Sequence, residues 1–177
     1  DIFQNIHELN RHFQELVAQR YPDWLTTDSQ VRFTSQFIRR CLKPHWDPQK
    51  EKAVVFVFDG MRYDIWDELL RPTLLDRMEL LEDLPASAIL PSETHVSRWA
   101  IAAGTEPATF GLTPRRPENG CLEEALAREL NYHVNVEPIA PDGAGTGETV
   151  RYRAGNLEYY IFEFCDKEPV SYTHLRA

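Results

Sequence analysis

The stretch Ala53-Val54-Val55-Phe56-Val57-Phe58-Asp59-Gly60-Met61-Arg62 decides the fold class. Ala53 to Phe58 is wholly apolar and, Ala53 apart, β-branched or aromatic. A short unbroken run of this kind predicts a strand buried on both faces of a parallel sheet. The change to Asp59-Gly60 marks its end, because glycine permits a tight turn. In open α/β sheets, ligands gather outside the carboxyl ends of the strands, which is where Asp59 falls.

Upstream, Ile2, Phe3, Ile6, Leu9, Phe13, Leu16 and Val17 recur at three- and four-residue intervals, predicting an amphipathic helix that Pro22 breaks. A second helical run carries Val31, Phe33, Phe37, Ile38 and Leu42 and stops at Lys43-Pro44, and a polar connector follows to Lys52. Downstream, helical character spans about Tyr63 to Leu70, and Pro72 opens a further turn through Leu80. Ala86 to Leu90 reads as a short strand, and Thr94 to Ala103 as a helix stopped by Gly104. Thr105 to Gly120 reads as loop, Leu122 to Leu130 as helix and Val134 to Val136 as strand. Pro141 to Thr149 reads as a glycine-rich loop and Tyr159 to Phe164 as a strong strand. Strands alternating with helices predict an α/β sheet with helices on both faces, preceded by a helical N-terminal segment over residues 1–50.

Composition narrows the function classes. The 177 residues hold 19 Lys and Arg against 28 Asp and Glu, a net charge of −9. That balance disfavours a module that binds duplex DNA through a basic surface. A content of 42% hydrophobic and 27% charged residues excludes wholesale disorder. Cys41, Cys121 and Cys165 are an odd, scattered set, which suggests reduced thiols in the cytoplasm. No apolar run approaches the roughly 18 residues of a membrane span, and no signal peptide is visible. The chain opens on Asp1 without a methionine, so a piece of something longer is expected.

Three places could carry chemistry. Asp59 could hold a hard cation or cap the following helix. Thr94, in Pro91-Ser92-Glu93-Thr94, falls at a helix N-terminus, where N–H groups and the macrodipole favour a phosphoryl group. Its hydroxyl could act as a nucleophile if a metal lowered its pKa, or it could be an N-cap threonine. Asp166 follows the last strand as Asp59 follows the first, or is a turn residue. Arg62 is expected to pack or pair locally. Gly143-Ala144-Gly145-Thr146-Gly147 lacks the spacing of a nucleotide-binding loop. The Asp1 to Tyr21 helix could bind a partner, link to an upstream domain or pack on the core.

Three segments in order carry a resemblance. Val54-Val55-Phe56-Val57-Phe58-Asp59-Gly60-Met61-Arg62-Tyr63-Asp64 resembles the opening motif of the PglZ domain, a branch of the alkaline phosphatase superfamily. Pro91-Ser92-Glu93-Thr94-His95-Val96-Ser97-Arg98-Trp99-Ala100-Ile101-Ala102-Ala103-Gly104 resembles the second motif and the nucleophile segment of nucleotide pyrophosphatase/phosphodiesterases. Tyr160-Ile161-Phe162-Glu163-Phe164-Cys165-Asp166 resembles the third. The resemblance implies a partial alkaline-phosphatase-like sheet, with residues 51–168 as the N-terminal part of a truncated PglZ domain.

It further implies a metal-dependent phosphoesterase. Asp59 matches a ligand of one metal of a pair, Thr94 the nucleophile that also touches that metal, and Asp166 a ligand of the other metal. Two zinc ions roughly 4 Å apart would clamp the attacking and leaving oxygens. Ser97 falls where the phosphodiesterases place a phosphate-steadying Asn. Arg98 could face phosphate or lie on an exposed helix face, the second being favoured. The implied substrate is a phosphodiester, nucleotide-derived, more than a simple monoester. The implied settings are phage-exclusion defence or a response regulator with an upstream receiver domain.

The pattern also departs from the family. A histidine is expected four residues after Asp166, where Val170 stands, and His174 is off register. An Asp-His pair and a last histidine expected further on have no counterpart. Residues 169–177 do not resemble the family and are read as a non-native tail. The sequence therefore leads to an inactive fragment of a hydrolase or, alternatively, a non-catalytic PglZ-like scaffold or signalling module.

Overall fold

A computed structural model describes residues 1–26, 31–111, 116–140 and 149–163. The predicted Gly143–Gly147 loop, Asp166, Val170, His174 and the 169–177 tail lie outside these residues.

Strand β1 is Ala53–Phe58, as its apolar run predicts. Strands β2 (Glu137–Pro138), β3 (Thr149–Ala154) and β4 (Leu157–Phe162) complete a four-stranded sheet in the order β1-β4-β3-β2. β1 runs parallel to β4, with Ala53 level with Leu157 and Phe58 level with Phe162. The other half is antiparallel, so the sheet is mixed rather than wholly parallel. The reason is a tight hairpin: Gly155 and Asn156 alone join β3 to β4, and Gly155 takes φ +57°. A Cβ on Gly155 would meet the Tyr132 hydroxyl at 2.1 Å. That hydroxyl accepts the Asn156 N–H at 3.0 Å, fixing the hairpin to the chain that follows the last long helix.

One face of the sheet carries the core. Val55, Tyr159 and Ile161 point to it, together with Leu157 and Ala154, and all are buried. Against it pack a 13-residue helix, Glu118–Leu130, through Leu122, Ala125 and Leu126, and the helical residues Ile38 and Leu42. The opposite face is open among the described residues: Val54 is 52% and Phe56 53% exposed. This corrects the expectation of burial on both faces and of helices on both sides. The rings on this face group together, with half-buried Phe58 stacked on half-buried Phe162 at 5.0 Å.

The helix Thr94–Ala103 ends where the sequence predicts, on Gly104 at φ +61°. It packs against the Glu118–Leu130 helix, whose Arg128 donates to the carbonyl oxygens of Ala103 and Gly104. These bonds satisfy carbonyls that a helix end leaves without intrahelical partners. A smaller core of Phe33, Ile89 and Ala100 gathers Tyr21, Trp24 and Leu25 from the end of the first helix, Ile2–Thr26. Pro22 does not break that helix, contrary to expectation; Tyr21, Trp24 and Leu25 on either side of it are held by packing. Its earlier apolar residues Ile2, Phe3, Ile6, Leu9, Phe13 and Leu16 are exposed.

Other boundaries move. The second helical run continues through Pro44 as a 3-10 turn (Thr34–Gln36), a π turn (Ile38–Leu42) and an α turn (Lys43–His45). Helical turns cover Tyr63–Ile65, Trp66–Leu70 and Arg71–Leu75, short of Leu80. Ala86 to Leu90 forms only a parallel bridge, Phe33 to Ser87. The predicted 105–120 loop holds a turn of helix, Pro107–Phe110, and the start of the Glu118 helix. Val134 to Val136 is not a strand; Val136 is a buried core residue just ahead of β2.

Candidate functional site at the ends of β1 and β4

Asp59 follows β1 by one residue, and its N–H donates to the Phe162 carbonyl at 2.9 Å. The β1–β4 ladder thus runs one step past the strand. Gly60, at φ +71°, then turns the chain away. Continuing the register of Phe58 with Phe162 brings Asp59 level with Glu163. Because side chains alternate across a strand, Asp59 shares the face of Val55 and Val57, and Glu163 that of Tyr159 and Ile161. Both carboxylates therefore lie on the core side of the sheet, towards the helices.

Asp59 does not cap a helix. The next helical turn starts at Tyr63 with Arg62 in the N-cap position, and no side-chain cap bond forms. Arg62 pairs with Asp64, as the sequence suggests. Thr94 is the first residue of its helix rather than the cap, which is Glu93. Just upstream, the Tyr21 hydroxyl accepts the Leu90 N–H at 2.6 Å, holding the approach to the Pro91-Ser92-Glu93-Thr94 segment. Ser97 is half-buried on the same helix, three residues on. His95 is exposed and pairs with Glu93.

Arg98 is the residue that joins these elements. One turn on from Thr94, it is on the same helix face. It is not the exposed arginine that the sequence favours: its side chain is 13% exposed. Nη1 donates to Glu163 at 2.5 Å and lies 3.8 Å from Asp59 Oδ2, while Nε is 3.2 Å from Glu118 Oε1. Its guanidinium also sits 5.2 Å from the centre of the Trp99 ring. Three carboxylates therefore share one guanidinium.

Glu118 is the deepest of the three, at 2% exposure. Burial raises its carboxyl to about 7, with Arg98 opposing the shift and Asp59 and Glu163 adding to it. Tyr152, on β3, donates its hydroxyl to Glu118 at 3.5 Å, and burial pushes the Tyr152 phenol up to about 12. The Tyr159 hydroxyl is buried with no hydrogen-bond partner among the described residues, and burial and then the Glu118 charge raise its pKa. For Arg98, burial works against the charge, but Glu118, Glu163 and Asp59 more than offset it, and the guanidinium holds its proton more firmly.

Sequence reasoning missed Glu118 and Glu163. Glu163 lies inside the third motif, and the signal was there: β4 begins and ends two residues earlier than predicted. The carboxylate that repeats the position of Asp59 is therefore Glu163, while Asp166 lies outside the described residues. Glu118 gives no such signal, because it opens a helix in what reads as loop.

The Glu118 carboxyl makes stability depend on pH. Its native value near 7 exceeds its ordinary 4.5, so the folded state binds the proton more tightly. The cost of ionising it in place is absent below about pH 4.5, grows as pH rises and is complete above about pH 7. At about 1.4 kcal/mol per pH unit the difference is about 3 kcal/mol. Glu118→Gln lacks this titration. Urea unfolding of both proteins should show wild type losing about 3 kcal/mol relative to the variant between pH 4.5 and 8. A constant difference over that range would show that Glu118 titrates as an ordinary carboxylate.

Asp59 and Thr94 offer hard oxygen donors, but among the described residues no group of three or more His, Cys, Asp or Glu is arranged to hold a metal ion. These residues alone do not make a metal site, and the Asp59 carboxylate has the Arg98 guanidinium beside it.

Residues 37–113 match the family model described as the BREX system PglZ alkaline phosphatase-like domain. Over that span the chain is similar to the PglZ family. The matched span includes Asp59, Thr94, Ser97 and Arg98, and ends before Glu118, Glu163 and Asp166. The helices and mixed sheet of the chain as a whole agree with an α/β, alkaline-phosphatase-like architecture. A search of curated proteins gives no match to this chain. Among the described residues no helix is long and apolar enough to cross a membrane.

Proposed function

We propose that the PglZ domain represented here is a metal-dependent phosphoesterase with Thr94 as nucleophile. The observation that carries this reading is the meeting of the Thr94 helix with the end of β1 through Arg98, within the span matched to the family. In the reaction, the Thr94 oxygen bonds to phosphorus as one ester P–O bond breaks, the leaving oxygen takes the bonding electrons and, by way of solvent, the proton that the Thr94 hydroxyl gives up, and threonine is left esterified. Water then hydrolyses that ester. A divalent metal pair, zinc in this proposal, would lower the pKa of the hydroxyl and neutralise the phosphoryl oxygens. Asp59 and Asp166 are its proposed ligands. Ser97 is the proposed phosphate-steadying residue, and Arg98 a weaker candidate for the same role.

The substrate class is a phosphodiester, nucleotide-derived, and the setting cytoplasmic, in a phage-exclusion system or a response regulator with a receiver domain. Loss of hydrolysis of an aryl phosphodiester in Thr94→Ala, in a PglZ protein carrying this segment with the complete ligand set, is the test.

A second reading is favoured by one observation: the cation beside Asp59 is the Arg98 guanidinium, 3.8 Å from Oδ2. With Val170 where the family's histidine is expected, this chain is proposed to be inactive and to serve as a PglZ-like scaffold. Structural zinc sites generally use four protein ligands. Elemental analysis of the purified chain is expected to give substoichiometric zinc. One zinc retained per chain would contradict the inactive reading.

A further inference from the structure

We propose that Arg98 is a positioning residue, a built-in counter-cation that latches the ends of β1 and β4 to the two helices by holding Asp59, Glu163 and Glu118 together. Four separate segments converge on its guanidinium. Asp59 comes from the end of β1, Glu163 from the end of β4 and Glu118 from the first turn of the second helix; Arg98 belongs to the helix that begins at Thr94. The matched family segment supplies Arg98 and Asp59, and chain beyond it supplies the other two carboxylates.

The arrangement is built rather than incidental. Arg98 and Asp59 are 13% and 14% exposed at their side chains, and Glu118 2%. The guanidinium hydrogen-bonds Glu163 and stands as a buried positive charge beside Glu118 and Asp59, so one side chain serves three carboxylates. Glu118 is the anchor: it sits at a helix N-terminus, where the helix dipole favours an anion, and is backed by the Tyr152 hydroxyl. Glu163 fixes the outer side of the guanidinium. Between them the guanidinium stands beside Asp59, at the last backbone bond of the β1–β4 pair. Without Arg98, the three carboxylates would lose the guanidinium they share at the strand end. The latch stands on this geometry alone; only its catalytic meaning, Asp59 held near the start of the Thr94 helix, rests on the phosphoesterase reading.

Hydrogen exchange of the whole chain, read by mass spectrometry, tests the latch without any assay of activity. The variants are Arg98→Met, which keeps length and removes charge, and Glu163→Gln, which keeps shape. Leu126→Ala is the control, destabilising the core elsewhere. Exchange is compared in peptides covering 53–62 and 157–163 and in peptides covering 121–130. In Arg98→Met, the strand-end peptides are expected to exchange at least about tenfold faster than in the control, while the 121–130 peptides exchange no faster than in the control. Glu163→Gln should show the same local pattern at smaller amplitude, and it carries the test if Arg98→Met does not fold. Faster exchange spread evenly over all peptides, or unchanged strand-end exchange in a folded variant, would overturn the proposal. A positive result would stand even if no phosphoesterase activity were found.

Discussion

Thr94→Ala, in a PglZ protein that carries this segment with a complete ligand set, is expected to lower aryl phosphodiester hydrolysis by at least about a thousandfold. The substitution removes the hydroxyl and one methyl group from the first turn of a helix whose N-cap is Glu93 and whose side-chain cap bond is absent. Alanine is a good helix former, and Thr94 is not its own helix's cap, so folding should be little affected. A loss of that size with an unchanged Tm separates chemistry from structure. Thr94→Ser, which keeps an oxygen at the same atom, should retain far more activity than alanine. Activity of Thr94→Ala within tenfold of wild type would remove Thr94 from the nucleophile role.

Leu157→Ala is expected to cost about 3–5 kcal/mol, lowering Tm by about 10 °C. Leu157 opens β4, with strands on either side, and is fully buried against the Glu118–Leu130 helix side of the sheet. Removing its side chain leaves a cavity that the neighbouring strands, tied by backbone bonds, cannot close. Phe56→Ala gives the contrast. Phe56 is larger but 53% exposed, and its ring touches other aromatic rings on the open face. Its loss should cost only about 1 kcal/mol. The two values together test the one-sided sheet. If Phe56→Ala costs as much as Leu157→Ala, that face is covered in solution, as the sequence had suggested.

The difference between those two residues shows how much the sequence can convey. The run from Ala53 to Phe58 reveals a strand because β-branched and aromatic residues concentrate there. It does not reveal what covers each face, since exposed and buried apolar residues look alike in a run. The helix from Thr94 was legible at both ends because Gly104 supplies the left-handed terminating residue. β3 was missed although Thr149-Val150-Arg151-Tyr152-Arg153-Ala154 alternates polar and apolar residues as a half-buried strand does, because the glycine-rich segment beside it reads as loop. Missing it also hid the Gly155-Asn156 hairpin and the antiparallel half of the sheet. At the site, Asp59 and Thr94 stood out through their motifs. Arg98 lay in the second motif yet read as exposed, because the carboxylates that surround it arrive from positions 59, 118 and 163. Such a junction is set by tertiary packing and has no signature in local spacing.

The central claim is that the Thr94 helix and the end of β1 form the reacting centre of a PglZ phosphoesterase. The most direct test is acid-quenched turnover of an aryl phosphodiester by a PglZ protein carrying this segment and the full ligand set, followed by peptide mass spectrometry. The account predicts a phosphoryl ester, retaining the substrate's other alcohol, on the peptide containing Thr94 and absent from Thr94→Ala. Active turnover with the modification on another residue, or an unmodified Thr94 peptide under conditions that trap an intermediate, would contradict it.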